Sequence, residues 1–312
     1  ENLTPEQQTL RNNAEFKHYM PWRTAEKPDS LSTPYRLVVD ASVTGLNDIL
    51  AKGENNMSKI YHILLRNRCR RFVWSSDISK LYNQLHLRDS ALPYGLFLFD
   101  EKMIPEAAPS TYVMVVAWYG VSSTGNQSGE GLEKLVELLE EKYPAALDVI
   151  KTDRYVDDVF SGDNNKDVCE NQIVQVKSAL AEGGFNLKFV VRSGQDPCQE
   201  ASSDGKSLKV LGYKWATKED KIYPGFSEIN FSKRKRGSKR PNPFPVANPE
   251  DVNRLLDGTH ITRRMVTSKI AELWDPIGFW EPFKLQLKLD SRNLKGLDWD
   301  TALNDDQQQH WR

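Results

Sequence analysis

Residues 153–161 read Asp153-Arg154-Tyr155-Val156-Asp157-Asp158-Val159-Phe160-Ser161, and the pattern is strand, tight turn, strand. Apolar and aromatic Tyr155, Val156, Val159 and Phe160 flank two adjacent aspartates, and a Ser-Gly-Asp-Asn-Asn run closes the segment. Adjacent carboxylates at a hairpin tip repel each other, and a hairpin has no structural need of that repulsion unless a cation neutralises it. The dipeptide alone has two readings. One is an exposed turn, since Asp is a common turn former; the other is a divalent-metal site. The surrounding sequence decides between them.

At 312 residues the chain is long enough for two domains, or for one domain with subdomains. Its 39% hydrophobic and 10% aromatic content excludes wholesale disorder, while no apolar run approaches the roughly 18 residues of a membrane span. The first residues are polar and read as no signal peptide. Three scattered cysteines, Cys69, Cys169 and Cys198, fit a reduced intracellular compartment and offer no Cys-x-x-Cys zinc site. The net charge of −1 does not announce a nucleic-acid binder, but its distribution is uneven. Basic residues cluster at Arg66, Arg68, Arg70 and Arg71, and again at Lys233, Arg234, Lys235, Arg236, Lys239 and Arg240. Each cluster is open to two readings, a solvated face or a contact with phosphates.

Outward from the hairpin, β-branched Tyr35–Asp40 predicts a strand and Met57–Arg68 an amphipathic helix with its arginines at the C-terminal end, where the helix dipole favours them. Arg71–Ile78 predicts a buried strand that reaches the acid Asp77. Gly95–Phe99 and Thr111–Ala117 read as a strand pair. A small, polar stretch from Gly120 leads into a helix that ends before Pro144, and Val168–Ala181 predicts a second helix, stopped by Gly183-Gly184. Phe185–Val191 and Leu208–Trp215 read as strands. The order β, α, β, β, α, β from Phe72 to Val191 lets the strand ending at Asp77 lie antiparallel to the Asp157 hairpin, with two helices behind. A basic, Pro-rich stretch from Phe231 to Pro249 reads as a linker, followed by helical periodicity from Val252 to Leu294.

Five segments then occur in order: Asp77 with Tyr82 five residues on; Gly120-Val121-Ser122-Ser123-Thr124-Gly125; Tyr155-Val156-Asp157-Asp158; Gly183-Gly184-Phe185-Asn186-Leu187-Lys188; and Leu211-Gly212-Tyr213. Together they resemble a reverse transcriptase. Pro34-Tyr35-Arg36-Leu37-Val38-Val39-Asp40-Ala41-Ser42 with Leu46-Asn47-Asp48, and Ile261-Thr262-Arg263-Arg264 with Asp275-Pro276-Ile277-Gly278, are similar to the Pao (BEL) group of long-terminal-repeat retrotransposons.

The resemblance implies an α+β right-hand polymerase. Fingers would take residues 1–72 and 92–115, palm 73–91 and 116–215 with an antiparallel sheet, two helices behind it and the primer grip, and a helical thumb with the start of a connection 216–312. It implies a polyprotein component that adds dNTPs to a primer on an RNA or DNA template by two-metal transfer, using Mg2+, with Mn2+ as a substitute. Asp77, Asp157 and Asp158 would hold the two ions, and Lys188 would protonate pyrophosphate. Arg36 and Lys27 would clasp the triphosphate, a task that suits a guanidinium fork. Tyr82 would be the gate against a 2′-hydroxyl, with Tyr119, Gly120 and Tyr155 shaping the nucleotide pocket. Leu211, Gly212 and Tyr213 would form the primer grip, and Lys233, Arg234, Lys235, Arg236, Lys239 and Arg240 would follow the duplex phosphates. Gly125 departs from the family, which has proline there. The implied residence is a cytoplasmic particle, with the nucleus as the alternative, and no membrane; oligomeric state is open.

Rival readings are a domesticated nucleic-acid-binding scaffold, a peptidase and a metal-dependent hydrolase. The three intact aspartates oppose the first. Asp257-Gly258-Thr259 is the wrong order for an aspartic-peptidase loop, and the five histidines show no ligand spacing. No ribonuclease H, integrase or protease is evident in the sequence.

Overall fold

The computed structural model describes residues 3–26, 34–100, 108–202, 204–224 and 248–312. Lys27 and the basic stretch carrying Lys233, Arg234, Lys235, Arg236, Lys239 and Arg240 lie outside the described residues. The chain divides into two compact units, Glu1–Gly205 and Lys206–Arg312. Leu211–Tyr213, grouped in the sequence reading with residues 116–215, thus falls in the second unit.

The first unit runs α1 (Pro5–Asn13), β1 (Trp22–Glu26), β2 (Tyr35–Val39), α2 (Leu46–Ile49), α3 (Ile60–Arg68), β3 (Phe72–Ser79), β4 (Leu96–Phe99) and β5 (Ser110–Val113). It continues through α4 (Thr124–Leu138), α5 (Pro144–Thr152), β6 (Arg154–Tyr155), β7 (Asp158–Asp163), α6 (Lys166–Glu182), β8 (Asn186–Leu187) and β9 (Val191–Arg192). Strands β1 and β2 pair, as do β4 and β5, both antiparallel. The central sheet has the order β6-β7-β3-β8, and β9 also pairs with β3.

Alternation along β3 decides which side chains face the helices and which face away. Trp74 and Ile78 are fully buried in a core with Leu132 and Val136 of α4, Val149 and Ile150 of α5, Val159 of β7, and Ile173, Val176 and Leu180 of α6. Asp77 therefore stands on the other face of the strand. Three helices, rather than the expected two, contribute to this core. The extra one is α5, where Pro144 is the first helical residue instead of a stop; its missing N–H is no loss there and its fixed φ suits the helix.

The second unit holds an antiparallel three-stranded sheet, β10 (Ser207–Val210), β11 (Tyr213–Ala216) and β12 (Lys221–Pro224), and the helices α7 (Pro249–Leu255), α8 (Arg263–Glu272), α9 (Glu281–Asp290) and α10 (Asp305–Trp311). Leu208–Trp215, which reads as one strand, is a hairpin. Leu211 (φ +48°) and Gly212 (φ +92°) form its two-residue turn, both left-handed as the type I′ connection requires. Leu256, Ile261, Val266, Ile270, Leu294 and Leu303 make the helical core. In α9 the apolar Phe283, Leu285, Leu287 and Leu289 alternate with polar residues, a spacing that puts them on two sides of the helix. Leu287 packs on the core, while Phe283, Leu285 and Leu289 are exposed.

Candidate active site

Strand β3 pairs antiparallel with β7 so that Asp77 stands opposite Asp158. Strands β6 and β7 are joined by Val156 and Asp157 alone, with Tyr155 opposite Asp158. Only the first of these turn residues, Val156, has a positive φ, +55°. That is the pattern of a type II′ connection, in which glycine is the usual occupant. The Ile78 N–H donates to the Asp157 carbonyl at 2.8 Å and the Lys188 N–H to the Asp77 carbonyl at 3.0 Å, so β3 ties the hairpin and the β8 edge together at its acidic end.

A cleft of about 230 Å³ opens here, lined among others by Arg36, Asp77, Tyr119, Asp157 and Lys188. Lys188 Nζ lies 2.7 Å from Asp77 Oδ1. The two groups form an ion pair inside the cleft. Burial, and after it the charge of Asp77, pushes the Asp157 carboxyl above the ordinary carboxylate range; Lys188 and Arg36 oppose the shift. Tyr119 lies under the Arg36 guanidinium, 5.7 Å from ring centre to Cζ, and its ring is 4.8 Å from that of Tyr82. Burial raises both phenols, and the charge of Asp157 adds to this, so both rings are neutral donors at physiological pH.

Among the described residues no three His, Cys, Asp or Glu side chains gather closely enough to hold a metal ion unaided. The cleft instead carries an aspartate pair, Asp77 and Asp157, with Lys188 against one Asp77 oxygen. Such a donor set fits Mg2+, which takes one or two carboxylates and completes its shell with water and substrate phosphates. Asp158 and Tyr155 are not among the residues lining the cleft.

Gly120 has φ +110°, and a Cβ there would meet the Val39 carbonyl oxygen at 2.0 Å. Its lack of a side chain thus lets β2 approach the Tyr119 segment, and the Val39 N–H donates to the Tyr119 carbonyl at 3.0 Å. Asn47, a residue to which the sequence gives no role, clamps the same segment. Its Nδ2 donates to the Gly120 carbonyl at 3.0 Å and its Oδ1 accepts from the Ser122 N–H at 2.8 Å. Its only signal in the sequence is the Leu46-Asn47-Asp48 motif.

Two clusters have structural uses. Asp153, buried, pairs with Arg66 Nε at 3.0 Å and with Arg70, and accepts from Ser161 Oγ at 2.8 Å. These partners take up two arginines of the first basic cluster. In the second unit Leu211 and Tyr213 are buried. The Tyr213 hydroxyl donates to Asp275 Oδ1 at 2.7 Å and accepts from the Ile277 N–H at 3.2 Å. Burial and the bond to Asp275 push this phenol up to about 12. A Cβ on Gly212 would meet Trp274 Nε1 at 2.2 Å. The Leu-Gly-Tyr and Asp-Pro-Ile-Gly motifs, 62 residues apart at Tyr213 and Asp275, are therefore one packing unit.

A family model described as the Pao retrotransposon-like RNaseH-like domain matches residues 262–312. The sequence reading gives that stretch to a thumb and connection and sees no ribonuclease H; the match sets an RNaseH-like family name over it. No curated protein matches the chain. The match links the chain to Pao retrotransposons, with an origin in a retroelement polyprotein and a nucleic-acid-processing kind of role.

Proposed function

We propose that the chain is a right-hand DNA polymerase of a Pao-type retrotransposon polyprotein, copying RNA or DNA templates from a primer with dNTPs. The observation that carries this reading is the cleft in which Arg36, Asp77, Tyr119, Asp157 and Lys188, drawn from five separated segments of the sequence, line one space. In nucleotidyl transfer the primer 3′-oxygen forms a bond to the α-phosphorus as the bond to pyrophosphate breaks. Asp77 and Asp157, with Asp158 adjacent, would hold the divalent ions, whose chemistry when bound would be Lewis-acid activation of the hydroxyl and charge neutralisation on the phosphates.

The chain's own residues do the rest. Arg36 presents its fork of donors to the triphosphate. Tyr119 and Tyr82, both neutral, offer ring faces to the sugar without repelling the phosphates. Lys188, beside Asp77, is placed to give a proton to the departing pyrophosphate. The roles of Lys27, Tyr155, the hairpin turn at Leu211-Gly212 and the basic residues 233–240 belong to the same proposal, as does a particle-associated residence.

The family name over residues 262–312 favours a second reading, RNaseH-like chemistry in the second unit. Acids there are engaged otherwise: Asp275 with Tyr213, Asp300 with Arg264, Asp298 with Thr301, and Glu281 with Lys288. The deciding experiment is extension of a labelled DNA primer on an RNA template by the purified chain with Mg2+ and dNTPs, beside Asp157→Asn, with the RNA strand monitored for cleavage. Template-dependent extension that falls by about 10²–10³-fold in the variant supports the polymerase. Salt-sensitive template binding without extension supports a scaffold, and RNA cleavage independent of Asp157 supports the second reading.

A further inference from the structure

We propose that Arg154 is a positioning residue for the carboxylate-bearing turn, fixing the Val156–Asp157 peptide and through it the metal-holding side chain of Asp157. The inference rests on the polymerase reading of the cleft.

Val156 carries a β-branched side chain at φ +55°, a conformation that costs roughly 1–3 kcal/mol and persists only where the surroundings over-determine it. Packing does not supply that constraint from every side. Behind the turn lies a second cavity of about 220 Å³, lined by Val156, Arg154, Glu133, Asn126 and Ser122 among others. What reaches the turn across this space is the Arg154 guanidinium.

The Arg154 side chain is only 7% exposed. Its Nη1 donates to the Val156 carbonyl at 3.1 Å and its Nε to the Ile150 carbonyl, near the end of α5, at 3.2 Å. Its Nη2 lies 3.4 Å from Glu133 Oε1 on α4. One planar group therefore binds the turn to two helices of the core. Burial pulls the guanidinium below its ordinary value and Glu133 counters that.

The bond to Val156 matters because of what lies at the other end of the same peptide. That peptide leads into Asp157, whose own carbonyl accepts from the Ile78 N–H of β3 at 2.8 Å. Arg154 holds the Val156 carbonyl and β3 holds the Asp157 carbonyl, so a rotation of the peptide between them re-aims the Asp157 side chain relative to Asp77. A side chain that never enters the cleft thereby sets the geometry of one of its two acids, and loss of such support for a metal ligand typically weakens metal binding or activity about 10–100-fold.

The test uses the whole chain as Arg154→Met, Arg154→Lys, Val156→Gly and Arg154→Met with Val156→Gly. Mn2+ binding is followed by electron paramagnetic resonance without nucleotide, beside kcat and KM for dNTP and the Kd for template-primer. Arg154→Met is expected to weaken Mn2+ binding and lower kcat, each by about 10–100-fold, with template-primer Kd unchanged. Arg154→Lys, able to reach one carbonyl, falls between. Adding Val156→Gly restores part of both losses, because glycine takes a positive φ without strain. Wild-type Mn2+ affinity and kcat in Arg154→Met would overturn the inference, as would losses that merely track the unfolded fraction. Should Arg154→Met not fold, Arg154→Lys decides alone by the same two readouts. If the wild type binds Mn2+ but extends no primer, the polymerase reading falls while the Mn2+ comparison still judges Arg154.

Discussion

Asp157 is the residue whose chemistry is most sensitive to its surroundings. Its carboxyl titrates above the ordinary value of 3.8, first because it is buried and next because Asp77 is near. Between the unfolded and the raised folded value the folded chain holds more protons than the unfolded one, so stability from this group falls as pH rises through that window. Asp157→Asn is therefore expected to melt above wild type at pH 7 in a chelator, by a few degrees, given that about 1 kcal/mol moves Tm by roughly 2–4 °C in a chain of this class. The advantage should vanish as pH falls below the ordinary carboxylate range; thermal melts across pH read it directly. Asp153, four residues earlier, has the opposite use. It is 1% exposed and paired with two partly exposed arginines, so Asp153→Ala removes the buried acceptor of Ser161 and of both guanidinium groups and should cost about 1–3 kcal/mol in a denaturant titration. The sequence separates these two acids by motif only. Nothing near Asp153 announces Arg66 and Arg70, 87 and 83 residues back, because pairing across a fold leaves no local pattern.

At the scale of elements, hydrophobic pattern locates β2, α3, β3, the β4–β5 pair, α4 and α6, since β2, α3, β3, β4, α4 and α6 each bury apolar residues and β5 pairs along the length of β4. It misses α5, where Pro144 reads as a stop, and it runs β10 and β11 together, because Leu211 is apolar although it occupies a turn. It also joins β8 and β9 into one strand; both pair with β3, but the residues between them lie outside the two strands, held to β3 by the bond from the Lys188 N–H to the Asp77 carbonyl. Gly120 lies at the meeting of β2 with the Tyr119 segment. Its substitution by alanine drives a Cβ against the Val39 carbonyl at 2.0 Å in a left-handed conformation. The expected loss is roughly 2–4 kcal/mol. The KM for dNTP should rise as well, because the shift moves Tyr119 against Arg36; urea titration and steady-state kinetics measure the two effects.

At the scale of the whole chain, the aspartate-bearing cleft lies in the first unit and the family-matched stretch in the second. A near-neutral net charge hides the basic run at residues 233–240. Replacing its six Lys and Arg by alanine should weaken template-primer binding equally across sequences, and flatten the plot of log K against log salt by roughly 0.9 for each phosphate the protein no longer neutralises. The alternation in α9 bears on how the chain fails. Phe283 to Asp290 repeats every second residue, which is the period of a β-strand, so this segment is a helix by virtue of its neighbours more than its pattern. Once the second unit opens, the same eight residues would present one apolar and one polar edge-to-edge face to a second copy. Lys284 and Lys288, which in the folded unit sit 3.7 and 2.7 Å from Glu281, are then the charges that hold copies apart. Lys284, 15% exposed in the folded unit, and Lys288, half exposed, are thus expected to act as gatekeepers, and replacing both by alanine should lower the temperature at which light scattering rises.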